Sequence, residues 1–126
     1  MSDLSRFAIN QITTRNWTLP EAIDGYARQG VGGIGVWIDY LDAAGVTEAA
    51  RQIRDAGLFV PSLCTSAWVN TNDVAAFDKA LDENRRRLDA AAAIGAKCLV
   101  VVPGGLAAGE KDLVAARNRV EDALAA

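Results

Sequence analysis

The sequence has no histidine, so it lacks both the commonest general base and the commonest transition-metal ligand. Cysteine is scarce. Cys64 and Cys98 each lie inside an apolar run and are expected to be buried free thiols, kept reduced in a cytoplasm. A basic excess is missing too: 13 basic against 16 acidic residues leave a net charge of −3, which offers nothing to draw nucleic acid. The one basic run, Arg85-Arg86-Arg87, is surrounded by Asp82, Glu83 and Asp89 and reads as a solvated helix face. Long hydrophobic runs are absent. Nothing approaches the roughly 18 apolar residues of a membrane span, and no apolar stretch after the polar residues 1–6 resembles the h-region of a signal peptide. A cytoplasmic protein with no nucleic-acid or membrane partner is expected.

What is present is alternation. With 51% hydrophobic and 23% charged residues the 126-residue chain has a globular composition, and its length fits a single domain over residues 1–126. Phe7-Ala8-Ile9 is a short strand ending at Asn10-Gln11. Thr18-Leu19-Pro20-Glu21 reads as a helix start: Thr18 can cap, Pro20 is tolerated in the first turn, and Glu21 completes a capping box. Leu19, Ile23, Tyr26 and Ala27 form the apolar face of that helix, and Gly30 stops it. Gly33-Ile34-Gly35-Val36-Trp37 is the second strand. A connecting stretch over 39–45 leads to a helix capped by Thr47 and stopped by Gly57. Residues 58–64 read as a third strand and 65–72 as a polar and aromatic loop. A long helix follows over about 73–94, with Phe77, Ala80, Leu81, Leu88, Ala91 and Ala92 as its stripe. Residues 97–102 are the fourth and most apolar strand. A glycine-rich loop over 103–109 precedes a last helix from about Lys111, with Leu113, Ala116, Val120 and Leu124 on one face.

Strands that are continuously apolar are expected to be buried on both faces, and their alternation with helices implies a parallel sheet with right-handed crossovers. An open doubly wound sheet and part of a closed barrel both satisfy the pattern. The run Gly30-Val31-Gly32-Gly33-Ile34-Gly35 spells a dinucleotide-binding glycine motif, but it follows a helix and opens a strand. A pyrophosphate needs the reverse order, with a helix N-terminus facing it, so the motif is rejected.

In either architecture ligands meet the C-terminal ends of the strands. Asn10 and Gln11, Trp37, Cys64, and Gly104 with Gly105 occupy those ends and form the candidate substrate-binding set. Asn10 and Gln11 offer donors and acceptors to a polyhydroxylated ligand, or else cap a strand end. Trp37 serves as a pocket wall or as the top layer of the core. Cys64 reads as a small core residue, since no histidine or evident cation would activate it. Gly104 and Gly105 admit a close backbone approach or form a plain loop. Trp68, flanked by Ala67 and Val69, suits a lid or a partner contact. Asp39 is the one carboxylate placed near a pocket. No two carboxylates fall clearly on two strand ends, so no acid–base pair can be assembled and the catalytic residues stay unassigned.

Several runs together resemble one family. Phe7-Ala8-Ile9-Asn10-Gln11, Gly33-Ile34-Gly35-Val36-Trp37, Ala56-Gly57-Leu58 with Val60-Pro61-Ser62-Leu63-Cys64, and Asn84-Arg85-Arg86 followed by Ala93-Ile94-Gly95-Ala96-Lys97-Cys98-Leu99-Val100-Val101 are similar to the xylose isomerase-like barrel superfamily, within it the sugar-phosphate isomerase/epimerase group. The resemblance spans about residues 6–124. It implies a (β/α)4 half of a (β/α)8 TIM barrel, since a complete one takes about 250 residues. It also implies a complete enzyme in which a divalent metal (Mn, Mg or Co) polarises a sugar and two glutamates move a proton through an enediolate. Those ligands and glutamates come from the fifth strand onward, beyond Ala126. No metal ligand is therefore carried over and no bound cofactor is expected on this chain alone; only the wall formed by Asn10, Trp37, Cys64 and Gly104 transfers. The expected partner is a small-molecule sugar. The alternative is a non-catalytic half-barrel binding or assembly module, whose open edges would favour self-association. A zinc endonuclease of the same superfamily is disfavoured by zero histidines and a charge of −3.

Overall fold

The first strand feeds a sheet whose members all point the same way. The structure, a computed structural model, describes residues 3–126, so the first two positions of the polar N-terminal stretch lie outside the described residues. Strands β1 (Ala8–Asn10), β2 (Gly33–Trp37), β3 (Leu63–Cys64) and β4 (Leu99–Val100) lie in the order β1-β2-β3-β4, each neighbouring pair parallel. A 3-10 turn (Gln11–Thr14) and α1 (Leu19–Arg28) follow β1. The helices α2 (Ile38–Ala44) and α3 (Val46–Asp55) follow β2. A longer helix, α4 (Val74–Ala93), follows β3, and α5 (Leu113–Ala125) follows β4. Sequential parallel neighbours with a helical crossover after each strand make a (β/α)4 half barrel.

Local chemistry fixes the helix ends. Thr18 and Glu21 form the capping box, with the Thr18 N–H donating to Glu21 Oε2 at 2.7 Å and the Glu21 N–H to Thr18 Oγ1 at 3.4 Å. Asp73 caps α4 by accepting from the Ala76 N–H at 3.0 Å, and Asp112 caps α5. The stops at Gly30, Gly57 and Gly95 hold.

Three expectations change. The connecting stretch over 39–45 is the helix α2: Ile38 and Leu41 point into the core, and Asp39 and Asp42 face water. Gly45, at φ 83°, then breaks the chain and restarts it as α3 one residue before Thr47. The third strand is shorter than expected, because Pro61 has no N–H to give the ladder. Only Leu63 and Cys64 pair regularly, with one isolated bridge between Gly33 and Phe59. The fourth strand contracts to Leu99–Val100.

The pairing register assigns faces. Partners in a parallel ladder point the same way and neighbours along a strand alternate. Ile9, Ile34, Val36, Leu63 and Leu99 therefore share one face, which packs on Leu19, Ile23, Leu41, Ile53 and Ile94 of the helical layer or its flanks. Ala8, Asn10, Gly35, Trp37, Cys64 and Val100 share the other, concave face. Burial on both faces holds for β2, where Gly33 to Val36 are buried, and for β3, where Leu63 and Cys64 both are; β1 and β4 are less buried, and Phe59 and Val102 beside the strands stay exposed. Cys98 is a correction. Its parity places it with Val100 on the concave side, where it is exposed, while Cys64 is buried as expected. The last two helices also carry less core than their stripes suggested. Ala116 is the one buried residue of α5, and Leu88 of α4 lies exposed with Leu113 and Leu124 of α5. No helix is long and apolar enough to cross a membrane among the described residues.

Candidate functional site

Two polar clusters occupy the C-terminal ends of the strands. The first joins β1 to β2. Asn10 ends β1, and its Oδ1 accepts two hydrogen bonds, from the Ile12 N–H at 3.2 Å and from the Trp37 indole Nε1–H at 2.6 Å. Gln11 follows, and its Oε1 accepts the Trp37 backbone N–H at 3.2 Å. Both amide oxygens are thereby committed to donors, which fixes which end of each amide is which. Asn10 is exposed, and its Nδ2 donates no hydrogen bond among the described residues. Gln11 is 0% exposed, and its Nε2 has no hydrogen-bond partner among the described residues. The indole of Trp37 is half-buried. Cys64, its register partner across β3, pairs in turn with Val100.

The second cluster ties the loop after β3 to the loop after β4. Buried Ser66 donates its N–H to the Val100 carbonyl at 2.9 Å and its Oγ accepts from the Val102 N–H at 2.9 Å, so a side chain continues the ladder beyond the strands. The N–H groups of Val69 and Asn70 both donate to the Pro103 carbonyl, at 3.1 and 2.9 Å. Asn70 Nδ2 donates to the Gly105 carbonyl at 2.8 Å, and Asn70 Oδ1 accepts from Arg119. Gly104 sits at φ 94°, a conformation other residues rarely adopt, and a Cβ there would stand 3.1 Å from Trp68 Cβ. Its bareness thus makes room for Trp68.

The helix α4 supports this second cluster from below. Asn84 Oδ1 accepts the Ala67 N–H at 2.6 Å and Asn84 Nδ2 donates to the Ala67 carbonyl at 3.3 Å. Arg87 donates to the Thr65 carbonyl at 2.6 Å and pairs with Glu83. Glu83 also holds Arg86, which reaches Asp42 on α2. The hydrogen bond from the Arg86 guanidinium, with help from Arg87, holds the Glu83 carboxyl down at about 2 against the opposing effect of partial burial. Arg119 beside Glu110 likewise holds that carboxyl below its ordinary range.

Asn10, Gln11 and Trp37 are therefore one bonded group, with Cys64 next to it in register. Gly104 and Gly105 belong to the second cluster, and Asp39 lies on the exposed first turn of α2. Sequence reasoning passed over Ser66 and Asn70, used Asn84 only for the family resemblance, and read Arg87 as a solvated helix face, whereas Arg87 is partly buried and holds the Thr65 carbonyl. A signal existed for two of them: Asn84 and Arg87 fall on the same helical face as Ala80 and Ala91, at steps of four, three and four residues, where a polar side chain needs a reason. Among the described residues no group of three or more His, Cys, Asp or Glu side chains comes together to hold a metal ion. The described residues by themselves do not bring together a ligand set for a divalent cation.

Comparison with known proteins bears on this geometry. No curated protein matches the sequence. Among solved structures, protein SMc04130 from Sinorhizobium meliloti 1021 is 39% identical with a TM-score of 0.89, over 94% of this chain and 43% of that one. The apo form of 3-keto-D-glucoside 4-epimerase, YcjR, from E. coli is 22% identical with a TM-score of 0.69, over 86% of this chain and 44% of its own. A xylose isomerase domain containing protein from Salmonella typhimurium LT2 is 17% identical with a TM-score of 0.69, over 99% and 47%. The chain spans less than half the length of each of these proteins, and the latter two likenesses show the fold alone. A family model described as xylose isomerase-like TIM barrel matches residues 24–126, and the chain belongs to that family.

Proposed function

We propose that this chain forms the N-terminal sector of a metal-dependent sugar or sugar-phosphate isomerase/epimerase. In that reading it supplies one wall of the substrate site, and the acid–base pair and the cation come from residues outside it. The observation that carries the reading is the convergence of Asn10, Gln11 and Trp37 at the C-terminal ends of parallel strands in a chain of this family. Substrate-wall residues need to orient hydroxyls without moving protons, and amides, an indole and a buried thiol suit that task. The Nδ2 of the exposed Asn10 is the donor available to a sugar oxygen; Trp37 fixes its direction by holding Oδ1. Gln11 acts through Trp37, whose backbone it anchors. Likeness to a sugar epimerase of the same fold supports the substrate class.

The test is to incubate the chain with panels of ketoses and aldoses in the presence of manganese, and to follow sugar binding separately by the amide resonances of Asn10, Trp37 and Cys64. Saturable shifts at those amides without turnover are expected. Turnover by this chain alone would remove the claim that the acid–base pair lies elsewhere, and flat resonances across both panels would remove the sugar reading.

A second reading is favoured by the exposed concave face. Phe59 and Val102 are open, and both β1 and β4 are edge strands. As an assembly module the chain would self-associate through those edges. A single monomeric species by light scattering across a concentration series, with a cooperative melt, would sink that alternative.

A further inference from the structure

Trp68 is 68% exposed, more than any other aromatic side chain described. An exposed indole on a loose loop would carry little meaning, but this loop is not loose. The preceding residue, Ala67, is gripped at both its N–H and its carbonyl by Asn84. The following residue, Val69, is buried and donates its N–H to the Pro103 carbonyl. Gly104 lies against the root of the indole, where an added Cβ would stand 3.1 Å from Trp68 Cβ and crowd it. A large apolar surface is therefore presented to water by a backbone held on three sides, beside the strand ends where the chain's other ligand-facing groups lie.

We propose that Trp68, seated on Gly104 and held by Asn84, is a stacking platform for the ring of a pyranose sugar. The proposal rests on the sugar-directed reading above and adds the residue that would recognise the ring. A pyranose with equatorial hydroxyls has a flat face of C–H bonds and a polar rim. Aromatic faces carry negative charge and attract such polarised C–H bonds, while the rim stays wetted or meets amide donors. An open-chain polyol of the same composition has no such rigid face and does not stack.

The three tryptophans, Trp17, Trp37 and Trp68, give three indole N–H resonances to follow. Titration of the whole chain with D-glucose should move the Trp68 resonance saturably and leave Trp17, also exposed, in place. D-Glucitol should leave Trp68 unmoved. W68A should weaken D-glucose binding about tenfold, and W68F, which keeps a ring face, should bind within about threefold of the parent. If W68A does not fold, the parent titration and W68F still decide. Movement of the Asn10, Trp37 and Cys64 signals with Trp68 static would overturn the platform and leave the sugar reading standing. Flat spectra throughout would overturn both. Equal movement of Trp17 and Trp68, or equal movement with D-glucitol, would show unspecific contact and also overturn the platform.

Discussion

Gln11 offers a sharp test of the site's architecture, because its two amide ends have opposite energetics. It is 0% exposed; Oε1 accepts the Trp37 N–H at 3.2 Å, and Nε2 is a buried donor with no partner among the described residues. Gln11→Met keeps the bulk but strips both polar ends. The Trp37 N–H then loses its acceptor, at about 1–3 kcal/mol, while the unpaired Nε2 disappears and returns about the same amount. The two effects nearly cancel, so Gln11→Met should lie within about 1 kcal/mol of the parent. Gln11→Ala shares that cancellation but also empties a buried site, which costs about 2–4 kcal/mol in comparable large-to-small changes. Urea unfolding at fixed pH reads the difference. With a slope of about 1–3 kcal/mol per molar urea, Gln11→Ala should lower the midpoint by about 1 M or more and Gln11→Met by much less. The comparison holds if the slopes of the three proteins agree, so that each unfolds in one step. Should Gln11→Met fall as far as Gln11→Ala, Nε2 must have a partner such as a buried water, and the account of an orphaned donor is wrong.

Three other perturbations follow from the same contacts. Asn84→Ala leaves the Ala67 N–H and carbonyl without their shared partner and should cost about 1–3 kcal/mol by thermal melting, with a broadened Trp68 indole resonance; a sharp, unshifted resonance would mean the loop is held by other contacts. Glu83 titrates at about 2 in the folded chain, below its ordinary 4.5, so its ion pairs contribute stability that is complete above pH 4.5 and is lost as pH falls through about 2. The parent should therefore exceed Glu83→Gln in stability at neutral pH and converge with it near pH 2, and a gap that is constant across that window would refute the assignment. A thiol reagent under native conditions should label Cys98 rapidly and Cys64 only on unfolding; two fast equivalents would contradict the burial of Cys64.

How much of this was legible depends on the range over which each feature is determined. Most helix starts and stops were readable because capping is local: Thr18 and Glu21 are three residues apart, and Asp73 bonds the N–H of Ala76; the Thr47 cap was not, since α3 starts at Val46 from Gly45, which has no side chain to cap with. The order of strand and helix was readable for the same reason. Strand ends were not, since Pro61 interrupts a run that is apolar throughout, and only pairing decides where a ladder stops. The helix α2 was hidden because two buried residues, Ile38 and Leu41, are too few to declare a period. In the site, the positions of Asn10, Gln11, Trp37 and Cys64 at strand ends could be read from the chain, but their bonds could not. That Gln11 turns inward to Trp37, and that Gly104 is bare on account of Trp68, are relations across 26 and 36 residues; the first is a hydrogen bond and the second a steric fit, and neither leaves a local mark.

The parity of the strands then separates two kinds of residue that composition treats alike. Ile34, Val36 and Leu63 face the helices and are fully buried, so truncating any of them opens a cavity in the one packed layer the chain has, and stability should carry the whole effect. Their ladder neighbours Gly35, Trp37 and Cys64, one residue away, face the concave side; Gly35 and Cys64 are still buried there, while Trp37 is half-buried. Val102 and Cys98 continue that side into solvent, with Val100 half-buried between them. An apolar residue held on an open concave face gains nothing from the helix-side core, so its presence there has to be explained by what the face meets: a ligand over the strand ends, or another wall across the barrel. The apolar run of β4 is thus two surfaces interleaved at period two. Leu99 belongs to the fold's own packing, and Val100 with Val102 lies on the opposite face.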